Sequence, residues 1–235
     1  MKTVIPKISK RLEAAASFVR RGVRIADIGT DHAYLPIYLY ASGIISGGVA
    51  SDINQGPVDR ARANIRGWGA DGAIEVLRAD GLCEAERYSP DDIFILGMGG
   101  ELIANIIENA SWVRDSRYRL ILQPMTHAET LRKYLYDNQF SILDEMIVED
   151  EKIYQIICAE YCGRAEEATP IELMFGKRNL ERGGELLYRS MRRTRDIYNE
   201  RIKGKRMADA DISTERALIE AIDEILKGEH KNEHT

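Results

Sequence analysis

Residues 25–31, Ile-Ala-Asp-Ile-Gly-Thr-Asp, decide the fold. A short apolar run reaches a carboxylate at Asp27, a glycine at Gly29 and a second carboxylate at Asp31. Val23, Ile25, Ala26 and Ile28 read as a buried strand. Gly29 lets the chain turn sharply at the strand's C-terminal end, where open α/β sheets bind their ligands. A nucleotide-like ligand with a ribose and a cationic centre suits such a place. Where a dinucleotide-binding loop keeps glycines, this chain has Asp31 and Ala33.

Outward from that strand, helices and strands alternate. Ser9–Arg21 reads as a helix, with Leu12, Ala15, Ala16 and Val19 at helical spacing and Gly22 as its stop. Ala33–Ala41 is a second helix that tolerates Pro36 near its first turn. Strands follow at 48–52, 73–77, 92–96 and 118–122, with helices at 54–66, from Leu102 and at 126–137. Thr126 and Glu129 are spaced as a capping box. Segments 140–148 and 153–161 have no helix between them and pair as a hairpin. The pattern predicts a parallel sheet with one antiparallel edge strand. A composition change near Arg164–Pro170 sets a boundary between residues 1–163 and 164–235. Beyond it Leu173, Leu180 and Leu187 recur at seven, and Ile212, Ile219, Ile222 and Leu226 form a second stripe. With Lys203–Asp209 read as the turn between them, two helices fold back as an antiparallel coiled-coil hairpin.

The 235 residues are 44% hydrophobic and 30% charged, the balance of a globular protein. No apolar run approaches the ~20 residues that span a bilayer. The basic start, Met1–Lys10, lacks the apolar stretch of a secretory signal. Cys83, Cys158 and Cys162 have no metal-ligand spacing and read as reduced core thiols of a cytoplasmic protein. The net charge of −5 is unevenly spread. Residues 1–24 carry seven Lys/Arg against one Glu, and residues 176–206 eleven against four acidic residues. Residues 25–175 carry twelve basic and twenty-five acidic side chains. Clustered basicity of this kind is the footprint of a polyanion such as nucleic acid.

Each of the first four strand ends carries a chemical feature. Asp27, Gly29, Thr30 and Asp31 follow the first. Asp52, with Ile53 and Asn54, ends the second, 23 residues past Gly29, where a carboxylate accepts from ribose hydroxyls. Asp80-Gly81 follows the third and is placed to accept from an exocyclic amino group. Gly97-Met98-Gly99-Gly100 follows the fourth, where bare backbone lets a planar ring approach. A pyrophosphate needs free N–H groups at a helix N-terminus, and Asp31 repels it. The carboxylates favour a ligand with an ammonium or a sulfonium, as S-adenosylmethionine has.

Four segments then carry a resemblance: Ser9-Lys-Arg-Leu12, Ala26-Asp-Ile-Gly-Thr-Asp-His-Ala-Tyr-Leu-Pro36, Gly97-Met-Gly-Gly100 and Leu122-Gln-Pro124. In that order, with a basic helical tail, the chain resembles the bacterial tRNA (adenine(22)-N1)-methyltransferase family along essentially its whole length. The resemblance implies a Rossmann-like class I methyltransferase sheet in the order 3-2-1-4-5-7-6, the last strand antiparallel. It also implies S-adenosyl-L-methionine as cofactor and methyl transfer to N1 of adenine 22 in tRNA. The Asn/Asp-Pro-Pro-aromatic loop of many amino-group methyltransferases is missing, so no catalytic residue carries over from those enzymes.

Asp31 and His32 are the candidates nearest the chemistry, and Tyr34 is a candidate for stacking on a ring. Cofactor contacts are expected from Asp27, Gly29, Thr30, Asp31, His32, Asp52, Ile53, Asn54, Asp80, Gly81, Gly97 and Met98. Substrate contacts are expected from Lys10, Arg11, Gly99, Gly100, Gln123 and Pro124. On the first helix they are expected also from Lys7, Arg20 and Arg21, and on the basic tail from Arg189, Arg192, Arg193, Lys203, Lys205 and Arg206. A monomer is the first expectation, with a dimer left open. Two rival readings also stay open: a methyltransferase for a small molecule or protein, and a non-catalytic RNA-binding protein that kept this fold. The first predicts no salt-dependent RNA affinity; intact Asp27, Gly29, Asp52 and Asp80 argue against the second, which failure to bind S-adenosylmethionine would revive.

Overall fold

A computed structural model of the chain describes residues 5–207 and 211–232. It divides into two compact units, Met1–Glu167 and Ala168–Thr235. The first unit is built on seven strands: β1 (Arg24–Ile28), β2 (Gly47–Asp52), β3 (Ile74–Arg78), β4 (Asp92–Gly99), β5 (Arg119–Thr126), β6 (Phe140–Glu149) and β7 (Ile153–Tyr161). Its longer helices are α1 (Lys10–Ala16), α2 (Tyr34–Ala41), α3 (Gln55–Gly67), α4 (Gly100–Glu108) and α5 (Ala128–Asp137). The strand order is β3-β2-β1-β4-β5-β7-β6. β1 lies between two parallel neighbours, with Asp27 opposite Ala50 of β2 and Phe94 of β4. Both faces of such a strand must be covered, which is why it reads as a nearly unbroken apolar run. On one face Ile25, Phe94 and Ile121 pack with Leu35 and Leu39 of α2 and Ala14–Ala16 of α1. Further along the same face, Ala50 and Ile74, aligned by register with Asp27 and Ile25, pack with Ile37 of α2 and Ala61 and Ile65 of α3.

Several elements depart from the sequence reading. The antiparallel strand is not at the edge. β7 pairs antiparallel with both β5 and β6, and β6 closes the sheet beyond it. α1 starts after Ser9, whose hydroxyl accepts from the Leu12 N–H, but it stops at Ala16 rather than Arg21. The helix ends because Arg20 is taken elsewhere: its backbone N–H and its guanidinium both donate to the buried carboxylate of Asp92. Arg20 is therefore not a free cation for a polyanion. β4 runs on through Gly97 to Gly99 with bulges beside β5. The Thr126–Glu129 capping box does not form, because Thr126 is the last residue of β5 and His127 caps α5 with a left-handed backbone. Of the three thiols only Cys158 is a core residue; Cys83 and Cys162 are exposed.

The second unit also differs in detail. The seven-residue spacing of Leu173, Leu180 and Leu187 falls on three helices: α6 (Pro170–Phe175), α7 (Lys177–Arg182) and α8 (Glu185–Met207). Gly176 separates the first two, and Gly183-Gly184, both at positive φ, separate the second from the third. The capping box lies at the head of α6, where Thr169 and Glu172 cap each other's backbone. Lys203–Met207 is helix rather than turn, and residues 208 and 209 of the expected turn lie outside the described residues. α8 and α9 (Ser213–Asn232) run antiparallel, as the ion pairs Arg195–Asp223 and Lys205–Glu215 require. Leu187, Met191, Ile202, Leu218, Ile222 and Leu226 are buried, whereas Ile197 is exposed. No helix among the described residues is long and apolar enough to cross a membrane.

Asp92 is fully buried at the start of β4 and meets Arg20 at 2.6 Å. Burial pushes its carboxyl pKa up, against the pull of Arg20. Removing one partner of such a pair strands the other's charge. We expect Arg20→Ala to cost about 3 kcal/mol in urea denaturation. Adding Asp92→Asn is expected to recover more than half of that loss.

Candidate active site

The C-terminal ends of β1 to β4 converge on two adjoining cavities in the first unit. The larger, about 330 Å³, is lined by Gly29, by Asp52-Ile53-Asn54 after β2, by Asp80-Gly81 after β3, and by Gly97 and Met98 of β4. Leu102 and Ile106 of α4 complete it. The smaller, about 220 Å³, is lined by Asp27, Gly29, Thr30, Asp31, His32 and Arg11, among others. Ile28, Gly29 and Leu96 border both, so the turn after β1 is their shared wall. A still larger hollow of about 740 Å³ continues past Asp80 and Ile106 towards Trp112. It lacks Asp27, Asp31 and Asp52, so the site is assigned to the smaller pair.

Gly29 is where the backbone makes both cavities possible. Its φ is +76°, and a Cβ there would overlap Met98 Cε. The N–H groups of Gly29 and Thr30 both donate to the Ser51 carbonyl at 2.8 Å, which folds the turn tightly against β2. Asp52 Oδ1 accepts from the Asn54 N–H at 2.8 Å, and among the described residues its second oxygen has no partner. A half-satisfied carboxylate of this kind suits a ribose diol. Above it, Ile53 is 54% exposed and Leu102 51% exposed, large apolar surfaces on the lips of one cavity. Such surface is what a planar ring covers.

The smaller cavity is electrostatic. Asp27 is 6% exposed, and burial pushes its pKa up to about 6 although the Thr30 side chain stabilises the charged form. Asp31 is exposed and pairs with Arg60 Nη2 at 2.6 Å and with His32 Nε2 at 3.2 Å. The His32 ring stacks on Tyr34, centroids 5.1 Å apart, and the His32 carbonyl accepts from Asn64 at 2.9 Å. Arg11 Nη1 donates to Gln123 Oε1 at 2.6 Å, and the Gly97 N–H donates to the same oxygen.

Of the residues singled out from the sequence, the strand-end set is brought together, and Arg11 joins the smaller cavity. Gln123 touches the site only through Arg11 and Gly97. Gly99 caps α4. Gly100 and Pro124 are buried and line neither cavity; a Cβ at Gly100 would overlap the His127 carbonyl. Lys10 is exposed on α1. Arg189, Arg192, Arg193, Lys203 and Lys205 are on α8 of the second unit, where Arg192 pairs with Glu185 and Lys203 with Glu200. The side chain of Arg206 lies outside the described residues. Sequence reading missed Arg60 and Asn64, which hold the loop after β1 from 29 and 32 residues away. It also missed Leu102 and Ile106, which a search for apolar residues just past the glycine run would have found.

A seven-stranded sheet in this order, with carboxylates at its first three strand ends, defines a class: the Rossmann-like class I methyltransferases. The methyltransferase domain family matches residues 8–157. The tRNA (adenine(22)-N(1))-methyltransferase of Bacillus subtilis (strain 168) is 39% identical over 171 residues, 72% of this chain and 72% of that protein. The crystal structure of the B. subtilis M1A22 tRNA methyltransferase TrmK aligns with a TM-score of 0.81 at 30% identity, over 94% of this chain and 98% of that one. Streptococcus pneumoniae Sp1610, solved in complex with S-adenosyl-L-methionine, aligns at 0.84 and 32%, over 94% and 100%. The chain belongs to the tRNA (adenine(22)-N1)-methyltransferase family.

Asp27 gives a pH signature. Its carboxyl titrates near 3.8 when solvated and near 6 when folded, so the folded state binds the extra proton between those values. Stability from this group is full below pH 4 and is lost as pH rises through about 6. At ~1.4 kcal/mol per pH unit the loss is about 3 kcal/mol. We expect Asp27→Asn to raise the unfolding free energy by about 2–3 kcal/mol at pH 8 and by almost nothing near pH 4. Denaturant titrations at the two pH values measure this.

Proposed function

We propose that this chain transfers the methyl group of S-adenosylmethionine to N1 of adenine 22 in tRNA. The observation that carries the reading is the pair of cavities divided by Gly29. One has the size, free carboxylates and apolar lips for an adenosine; the other has the carboxylates for an amino acid ammonium. The residues present fit that cofactor. Asp52 accepts from the ribose hydroxyls, Asp80 from the exocyclic amino group, and Ile53 and Leu102 cover the ring. Gly29, Gly97 and Met98 leave room at the centre, and Asp27 and Asp31 face the ammonium.

When bound, the cofactor supplies a sulfonium methyl that the lone pair of adenine N1 can attack directly. No side chain has to remove a proton first. The chain's own work is to align the base, exclude water and face the cationic product with carboxylate charge. Asp31 supplies that charge with His32 beside it; the stack on Tyr34 and the contact with Asp31 hold the His32 ring, and the Asn64 bond holds its backbone carbonyl. N1 lies on the Watson–Crick edge, so the base must leave its contacts in the tRNA at a cost of a few kcal/mol. Backbone contacts offset this cost. Lys10 on α1 and the basic face of α8, with Arg189, Arg192, Arg193, Lys203, Lys205 and Arg206, are assigned to the phosphates. The chain is read as a monomer working in the cytoplasm, where tRNA is.

Incubation of unmodified tRNA with labelled S-adenosylmethionine, followed by mapping of the mark, tests the reading. A label on any atom other than N1 of adenine 22 refutes the target while sparing the class. Asp31→Ala is expected to weaken cofactor binding about tenfold by calorimetry. Unchanged affinity with lost turnover would move Asp31 from holding the cofactor to the chemistry. Deleting residues 168–235 should leave cofactor binding intact and abolish methylation of tRNA; a full rate from the shortened chain would remove the tail from the mechanism.

A further inference from the structure

The hollow of about 740 Å³ beyond the third strand end lies outside the two cavities assigned to the cofactor, yet it is continuous with the larger of them. Asp80, Gly81, Leu102 and Ile106 line both spaces. Gly81 is the neck between them: a Cβ there would stand 3.2 Å from Ile106 Cγ2, so a side chain would press on the opposite wall. Asn105 and Asn109, at the end of α4, and Trp112 form the far side. Trp112 is half-buried, and its ring meets Tyr118 edge-on with centroids 4.9 Å apart, so packing fixes its position. Asp80, Glu84 and Glu86 face this space together with Arg87. Arg87 is paired with Glu84, which leaves Asp80 and Glu86 without an ion pair among the described residues. Two such carboxylates repel phosphate, so the hollow does not suit a stretch of tRNA.

We infer that this hollow is a second binding site, for a cationic arm carried on the exocyclic nitrogen of an adenosine ligand seated in the adjoining cavity. The inference rests on the cofactor reading above, in which Asp80 accepts from that nitrogen. Because Asp80 borders both spaces, the nitrogen it holds sits at their junction. A primary amino group has two hydrogens, and Asp80 needs only one of them. A single alkyl substituent can replace the other and keep the hydrogen bond; two substituents remove it and leave the carboxylate unpaired. Leu102, Ile106 and Trp112 offer apolar surface to a methylene chain. Glu86, which borders the outer space alone, supplies the charge opposite an ammonium at the end of that chain. The site therefore selects ligands by the sign of the arm and by the hydrogens left on the nitrogen.

Calorimetry on the full chain tests this with S-adenosylhomocysteine and three derivatives substituted on the exocyclic nitrogen: an aminohexyl chain, a carboxypentyl chain of similar length, and two methyl groups. The aminohexyl compound should bind within about threefold of the parent or more tightly. The carboxypentyl compound should bind about five- to tenfold less tightly than the aminohexyl one. The dimethyl compound should lose on the order of 10- to 100-fold. Asn105→Trp puts bulk into the outer hollow from the exposed side of α4. It should weaken the aminohexyl compound about tenfold and leave the parent within about twofold. Glu86→Gln should narrow the gap between the two charged arms. More than about tenfold loss on adding the aminohexyl chain overturns the inference, because the nitrogen then faces a closed wall. Equal aminohexyl affinity in wild type and Asn105→Trp also overturns it, since the arm then runs into solvent. Equal binding of the two charged arms, or full affinity for the dimethyl compound, overturns the roles of Glu86 and Asp80 respectively. Failure of the wild type to bind S-adenosylhomocysteine itself refutes the cofactor reading instead, a result that the derivatives alone do not give.

Discussion

A carboxylate buried at the end of the central strand is the constraint on which the rest of the structure turns. Asp27 lies between β2 and β4, 6% exposed, where its charge is poorly solvated. A core chosen for stability alone would place an apolar residue there. The carboxylate becomes an asset only when a cation is brought against it. The turn at Gly29 borders both cavities, and a side chain there would meet Met98. Stability is thus sacrificed at the strand end to which the proposed function assigns the ligand's ammonium, while Ile25, Ala26 and Ile28 of the same strand are buried and apolar.

The surrounding elements can be understood as ways of holding that strand end open. α3 supplies Arg60 to Asp31 and Asn64 to the His32 carbonyl, so the exposed part of the loop is tied down from a neighbouring helix. α1 supplies Arg11, and β5 supplies the buried Gln123 that orients it. β4 extends past its regular pairing into Gly97–Gly99, and the bulges there place bare backbone beside the cavity. Each contact is modest alone. Arg60 and Asn64 fix the Gly-Thr-Asp-His loop, and Gln123 ties Arg11 to the turn of β4 at Gly97.

The fold was legible in the sequence because parallel strands are buried on both faces and announce themselves as apolar runs ending in Gly or Asp. The strand-end carboxylates were legible for the same reason, since each follows its strand directly. What could not be read depends on distant partners. The early stop of α1 follows from Arg20 reaching Asp92, 72 residues on. The heptad of Leu173, Leu180 and Leu187 is genuine as spacing, but Gly176 and Gly183-Gly184 cut it into three helices. Strand alternation alone points to an antiparallel strand at the edge, because a hairpin fixes which strands pair and not which of them meets β5; the order 5-7-6 implied by the family resemblance is the one found. Arg11 was grouped with the basic residues around it, since charge pattern along a chain does not say which arginine faces inward.

The uneven charge of the chain suits the two ligands of the proposed function. A site built for a sulfonium and an ammonium needs carboxylates near the cavities, and residues 25–175 are accordingly acidic, twenty-five against twelve. That excess repels phosphate, so one surface cannot serve both the cationic cofactor and a polyanionic substrate. Separating the charges along the chain resolves the conflict. α8 carries eight Lys/Arg against three acidic residues, and α9 supplies part of the balancing acid through Asp223 and Glu215. These ion pairs tie α9 to the basic helix, on which Arg193 is exposed. An appended basic helix is therefore the electrostatic counterpart of the acidic strand ends, and the proposed activity needs both.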